Sequence, residues 1–391
     1  MSALLTSLAL AVTGCAKPAG YPAPANPEQP IPDEPPMTLT PQEAALYIGH
    51  PGASFIDARP KKHYRKGHAP GAVSAEWTEF RDETATLMTG KLDADLDRLA
   101  ALFAGKGVAR DSWAIVFGDP LSGWGEEGRI AWTLHYLGAT KVSIVDGGWS
   151  AWVEAGLPVQ KGDVLREPAE FAAEVADQYI ARKRDVRLFS ADQENWSTVL
   201  VDVREPEEFR GAPGAPSYGS LRVGHVPGAV NLPWRSLLDD KGRILPPDQL
   251  EPILINKGVR PDARIITYCT GGVRSAHTWF VLHSLGYPVV KNYSASWWEW
   301  SLDRKLGAET GGQRPMPVGP AWPPEPRGKA VDADSGEPEV KMTTEELKAM
   351  LDADDDDSAE EVIPLTPAQK LKARLDGPKP KPAEAGDEPP E

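Results

Sequence analysis

Cys269 stands in the run Ile265-Ile266-Thr267-Tyr268-Cys269-Thr270-Gly271-Gly272-Val273-Arg274, whose residue types and spacing fit a sulfur nucleophile. The apolar stretch ending in Tyr268 predicts a buried strand, and Ser275 to Leu285 predicts a helix. Cys269 therefore falls at the C-terminal end of a strand, where open α/β sheets hold their ligands. The turn from Cys269 to Arg274 feeds a helix N-terminus. Successive N–H groups in such a Gly-containing turn form an anion-binding nest, and the helix end adds partial positive charge. A free thiol of pKa about 8.5 is only a few per cent ionised at neutral pH, so a nucleophilic role needs a drop of about two units, worth roughly 2.7 kcal/mol. Inward amides, the helix end and Arg274 can supply this. Gly271 and Gly272 permit the backbone angles of a cradle, and Arg274 adds a permanent charge with a fork of donors suited to an oxyanion. The competing reading is an ordinary buried cysteine at a strand end.

The elements that position this loop come from an internal repeat. Phe55-Ile56-Asp57-Ala58-Arg59 followed by Gly67-His68-Ala69-Pro70-Gly71-Ala72 recurs as Leu200-Val201-Asp202-Val203-Arg204 followed by Gly224-His225-Val226-Pro227-Gly228-Ala229. Each half then offers a short apolar strand, Ala114 to Phe117 or Arg264 to Tyr268, a helix closing at Leu137-Gly138 or Leu285-Gly286, and a Trp pair, Trp149/Trp152 or Trp297/Trp300. Strands alternating with helices imply crossover units and a mainly parallel sheet flanked by helices. The expected fold class is α/β, with two tandem domains at 38–160 and 185–306 joined by a linker at 161–184, and with Tyr179 to Asp185 a short helix in the connecting segment Gly162 to Gln193.

In the first half the place of Cys269 reads Phe117-Gly118-Asp119-Pro120, with no thiol and a loop three residues longer. One half holds a nucleophile; the other does not. The Asp57/Arg59 and Asp202/Arg204 pairs occur in both halves, so they read as structural ion pairs. His68 and His225 read as supports of a Gly-Pro-Gly turn, and the Trp pairs, Trp297 included, as packing.

Composition narrows the function. A net charge of −15 argues against nucleic-acid binding, which needs clustered Lys and Arg. Two cysteines, Cys15 and Cys269, cannot build a disulfide framework or a Cys-rich metal site. No apolar run reaches the roughly 20 residues that span a bilayer. The 39 Pro concentrate outside the repeat: 16–37 reads as a Pro-rich tether, and 307–391 as an acidic, Pro-rich disordered tail. Within that tail Asp354 to Asp357 is a solvated acidic run, and Thr343 to Leu351 and Thr366 to Leu375 have helical character.

The duplicated Asp-x-Arg and Gly-His-x-Pro-Gly-Ala motifs, the Cys-x-x-Gly-x-Arg-Ser loop and the closing Ser296-Trp297-Trp298-Glu299-Trp300 together resemble the tandem-domain thiosulfate sulfurtransferases of the rhodanese family. The resemblance spans about residues 38–306. It implies an inactive first domain, a second domain whose Cys269 forms a persulfide, and a substrate-binding loop of Thr270, Gly271, Gly272, Val273 and Arg274. The implied reaction is a double displacement: sulfane sulfur passes from thiosulfate to Cys269, then to cyanide or a thiol, with no metal or organic cofactor. The related 3-mercaptopyruvate sulfurtransferases carry a loop like Cys-Gly-Ser-Gly-Val-Thr, and Arg274 in place of the last Thr favours a dianionic donor. Cys-dependent phosphatases of related fold use Cys-x5-Arg, one residue more than the spacing here. A non-catalytic envelope scaffold is the third alternative.

The segment Leu10-Ala11-Val12-Thr13-Gly14-Cys15 resembles a bacterial lipobox. That implies a signal at 1–15, a lipid on Cys15, membrane attachment and a place in the bacterial cell envelope, lipid-anchored or periplasmic. No Lys or Arg precedes Cys15, a departure that a start further upstream would explain. Without a genuine signal the expectation is cytoplasmic.

Overall fold

The computed structural model describes residues 29–85, 89–191 and 197–312. Cys15, the acidic run and the two helical expectations in the tail lie outside the described residues.

Runs such as Ala53–Asp57, Trp113–Phe117 and Thr198–Asp202 are buried at every residue, as strands covered on both faces must be. They belong to two five-stranded sheets. The first contains β1 (Thr38–Leu39), β2 (Ala53–Asp57), β3 (Val73–Ser74), β4 (Trp113–Phe117) and β5 (Val142–Val145), in the order β1-β5-β4-β2-β3. The second contains β6 (Ile180–Ala181), β7 (Thr198–Asp202), β8 (Val230–Asn231), β9 (Arg264–Tyr268) and β10 (Val290–Tyr293), in the order β6-β10-β9-β7-β8. Every strand pairing is parallel, and register sets Asp57 beside Phe117 and Asp202 beside Tyr268. The Asp-x-Arg motifs thus flank the two strand ends from which the thiol loop and its counterpart leave.

Helices Glu126–Tyr136 and Val273–Ser284 follow β4 and β9 and pack on each other. The first is buried at every position and the second from Val273 to Leu282, as expected of helices covered on all sides. Gly128 permits the close approach, because a Cβ there would lie 2.3 Å from the Cα of His277. Ile130, Ala131, Leu134, Ala276, Trp279 and Phe280 merge into one apolar core across the domain boundary.

Four expectations about boundaries change. Tyr179 to Asp185 is not one helix: Asp177–Tyr179 is a 3-10 turn, Ile180–Ala181 is the edge strand β6, and Lys183–Ala191 is the helix. Pairing with β10 captures two residues that lack helical periodicity. The second interface helix starts at Val273 rather than Ser275, so Arg274 sits in its first turn and the loop is shorter than expected. Residues 29–37 lie against the first domain, with Gln29 donating to Tyr47 (3.4 Å) and Ser143 to the Pro36 carbonyl (2.5 Å). Past residue 306, Glu309 exchanges backbone hydrogen bonds with His225 as Gln160 does with His68.

Candidate active site around Cys269

Cys269 directly follows β9 and is 1% exposed. Its own N–H donates to Ser296 Oγ (3.1 Å), and its carbonyl accepts from the Trp297 N–H (3.1 Å). The Gly272 N–H donates to its sulfur at 3.1 Å, and Ser275 Oγ lies 3.7 Å from the same atom. Burial pushes the thiol up. The Arg274 charge, the Ser275 amide and hydroxyl and the Gly271 amide outweigh it, so the thiol lies below its ordinary value. Of the amides expected to form a nest, that of Gly272 meets the sulfur, with the Ser275 hydroxyl beside it.

The two glycines serve different ends. Gly272 adopts φ +77 and caps the following helix, a conformation that favours glycine. Gly271 is needed for space: a Cβ on it would lie 2.1 Å from the Trp298 ring, while Gly90 of the first domain presses on its carbonyl from elsewhere. The expectation that both supply special backbone angles holds for Gly272 alone. Ser296 at φ +57 is a non-glycine residue in the left-handed region, and its buried hydroxyl donates to the Tyr293 carbonyl (2.7 Å) while receiving the Cys269 N–H.

Arg274 and Thr270, expected to bind the substrate, are hydrogen-bonded to Glu208 in the structure. Arg274 Nη1 and Nη2 donate to Glu208 Oε2 (2.7 Å) and Oε1 (2.9 Å), and Nη2 also reaches Thr270 Oγ1 (2.7 Å). The Thr270 hydroxyl in turn donates to Glu208 Oε1 (3.1 Å). The fork that sequence reasoning assigned to an oxyanion is held by a buried carboxylate. Arg274 acts on the sulfur through its charge instead. Its Cζ lies 5.2 Å from the Trp124 ring of the first domain and 5.8 Å from the Tyr218 ring of the second, two exposed rings that meet edge to face at 5.4 Å. Val273 is buried as the first residue of the helix.

The four supporting residues are all buried. Asp202 receives the Arg204 guanidinium at 2.5–3.1 Å, and Arg204 also donates to the Gly224 carbonyl (2.8 Å) and lies 4.9 Å over the Trp297 ring. His225 stacks on Phe209 (3.6 Å) with Nδ1 2.7 Å from its carbonyl. Burial lowers the His225 pKa. The first domain repeats this set: Arg59 on Asp57, Gly67 and Trp149, and His68 on Tyr64.

Sequence reasoning missed Glu208, Asn292 and Arg129. Glu208 lies six residues beyond Asp202 in Pro206-Glu207-Glu208-Phe209-Arg210, a helix-start pattern that gave no sign of a buried partner. Asn292 on β10 accepts from Ser275 Oγ (2.7 Å) and contacts the Gly272 carbonyl (3.4 Å). Arg129, from the first domain, donates to that same carbonyl (3.2 Å).

Two parallel-sheet domains thus hold, at one strand end, the one thiol among the described residues, buried and lowered in pKa. The family model of the Rhodanese-like domain matches residues 40–155 and 185–303. The chain belongs to the rhodanese family as a tandem-domain member, and it is a sulfurtransferase, moving sulfur from a donor to an acceptor. The sulfur carrier protein TtuD of Thermus thermophilus is 33% identical over 244 residues, covering 61% of this chain and 83% of its own length. SseA of Mycobacterium bovis, which carries thiosulfate sulfurtransferase in its name, is 32% identical over 293 residues, covering 69% and 93%. The structure of SseA from Escherichia coli, described as a 3-mercaptopyruvate sulfotransferase, superimposes with a TM-score of 0.59 at 29% identity, covering 67% of this chain and 99% of that one.

Proposed function

We propose that the chain is a thiosulfate sulfurtransferase acting through a persulfide on Cys269. The observation that carries this reading is the Gly272 N–H aimed at the Cys269 sulfur, within a set of amides and charge that lowers its pKa. The thiolate attacks the outer sulfur of thiosulfate. A new S–S bond forms, the old one breaks, and sulfite departs with the bonding electron pair. The loop amides then hold a persulfide, whose outer sulfur is taken by cyanide or a thiol as the Cys269 thiolate leaves. No step calls for a metal or organic cofactor.

The Glu208 clamp on Arg274 bears on the alternatives. A phosphatase cradle needs its arginine fork turned to the phosphate, and here the fork is occupied. With Arg274 paired to Glu208, the support for thiosulfate over 3-mercaptopyruvate is the name of the mycobacterial relative. Steady-state rates with both donors and cyanide test it: thiosulfate is expected to give the higher kcat/KM, and the reverse order overturns the assignment. We further propose that Cys15 carries a lipid holding the enzyme at a membrane of the cell envelope. The support is the lipobox-like segment alone, and an unmodified Cys15 in the mass spectrum of protein from the native host contradicts it.

A further inference from the structure

Arg129 lies on helix Glu126–Tyr136 of the domain without a thiol, and it is fully buried. Three other buried arginines near these sites, Arg59, Arg204 and Arg274, each clasp a carboxylate. Arg129 has none among the described residues. Its Nη1 donates to the Gly272 carbonyl (3.2 Å), its Nη2 to the Gly90 carbonyl (2.7 Å), its Cζ lies 5.0 Å over the Trp132 ring, and its Nε finds no acceptor among the described residues. A guanidinium taken out of water without a counter-ion is costly, so the site is built around an anion supplied from elsewhere. Burial pulls the Arg129 pKa down to about 10, and the one charge raising it is that of Cys269.

The neighbouring charges are already matched. Arg274 is held by Glu208 and Arg204 by Asp202. Glu126 accepts the Trp124 N–H (2.8 Å), and Arg235 donates to the carbonyls of Pro120 and Gly123. Glu127 faces His277 at 3.3 Å, where burial raises the carboxyl to about 8 and lowers the imidazole to about 4, so both are largely uncharged at neutral pH.

We propose that Arg129 is a positioning residue for sulfur transfer, contributed across the domain boundary: it pins the Gly272 peptide beside the sulfur and adds a second cation, after Arg274, to the surroundings of the Cys269 thiolate. The inference rests on Cys269 being the nucleophile. It gives the thiol-less domain a part in the chemistry. The Gly272 carbonyl it holds and the Gly272 N–H that meets the sulfur share one Cα, so fixing the first restrains the second.

Titration of the thiolate by its ultraviolet absorbance, with Cys269→Ser as the blank, tests this on the full chain. R129Q keeps an amide donor but loses the charge; R129K keeps the charge but loses the fork. In R129Q the thiol pKa is expected to rise by about one unit, a roughly tenfold loss of thiolate below it, while R129K titrates close to the parent. R129Q titrating like the parent, or R129K rising as far as R129Q, overturns the proposal. Should R129Q fail to fold, R129K decides alone: a parental titration supports the proposal, and a rise of about a unit overturns it. A parent thiol that already titrates like a free cysteine sinks the nucleophile reading itself, an outcome distinct from a parent and R129Q that share a lowered value.

Discussion

The loops after β4 and β9 leave equivalent strand ends, finish on left-handed glycines, Gly125 at φ 80 and Gly272 at φ 77, and feed the two helices that pack together. Between strand and helix the first spends eight residues, 118–125, and the second four, 269–272. In the longer loop Asp119 accepts from the hydroxyl of Ser122 in the same loop (2.6 Å) and from that of Ser150 on helix Gly148–Glu154 (2.8 Å). In the shorter one the Gly272 amide has turned onto a sulfur. The scaffold below is duplicated almost contact for contact, with an Asp–Arg pair, a stacked His and a Trp under the arginine. Reactivity therefore resides in the length and content of one loop rather than in the motifs the two halves share.

The expected sharpest break in this comparison is Cys269→Ser, which should cut sulfur transfer to below about one-thousandth of the parent rate with circular dichroism and Tm little changed at neutral pH. Next is the attempt to move the thiol to the first domain. Gly118 occupies the place of Cys269, but a Cβ there would lie 1.6 Å from Glu127 Oε2. In a Cys269→Ser background, Gly118→Cys is expected to lower Tm and to take up no sulfur from thiosulfate. A labelled, well-folded double variant would mean that loop length does not matter.

The Arg274–Glu208 pair separates charge from packing. Arg274→Met alone strands a buried carboxylate and should cost about 3–5 kcal/mol in denaturant unfolding, whereas Arg274→Met with Glu208→Gln should recover most of that stability. Both variants should raise the thiol pKa, since the Arg274 charge is the largest influence lowering it. A double variant with a parental thiol titration would contradict that role.

Two pH effects are smaller. Because the folded thiol lies below its ordinary value, transfer rate should climb with pH through that lowered value and level off before about pH 8.5. The same shift gives the parent a stability advantage over Cys269→Ser that is full above the ordinary thiol range and lost as pH falls through the folded value. Glu127 has the opposite sign. Its carboxyl is raised to about 8, so the protonated form fits the fold and stability is lost as pH rises toward that value. Glu127→Gln should therefore gain Tm over the parent progressively between about pH 5 and pH 8, and a gain independent of pH would show that the carboxyl is not protonated there.

The repeat made both sheets legible, since buried parallel strands betray themselves as apolar runs and the Asp-x-Arg and Gly-His-x-Pro-Gly-Ala motifs fix their phase. The thiol loop was legible for a related reason: nests are made by backbone, and Gly271-Gly272 ahead of a helix is a backbone signal. What escaped depends on side chains meeting from far apart in the chain. Glu208 and Arg274 are 66 residues apart, and Arg129 and Gly272 are 143 apart in different domains. A guanidinium in a loop looks the same in sequence whether it awaits an anion or already holds one. The edge strand Ile180–Ala181 escaped because two residues carry no period, and only β10 beside them makes them a strand.

The most direct test is the intact mass of the full chain after exposure to thiosulfate. The account predicts a species heavier by one sulfur atom that reverts on adding cyanide and never forms in Cys269→Ser. A parent chain that gains no sulfur, or a Cys269→Ser variant that gains as much, would contradict it.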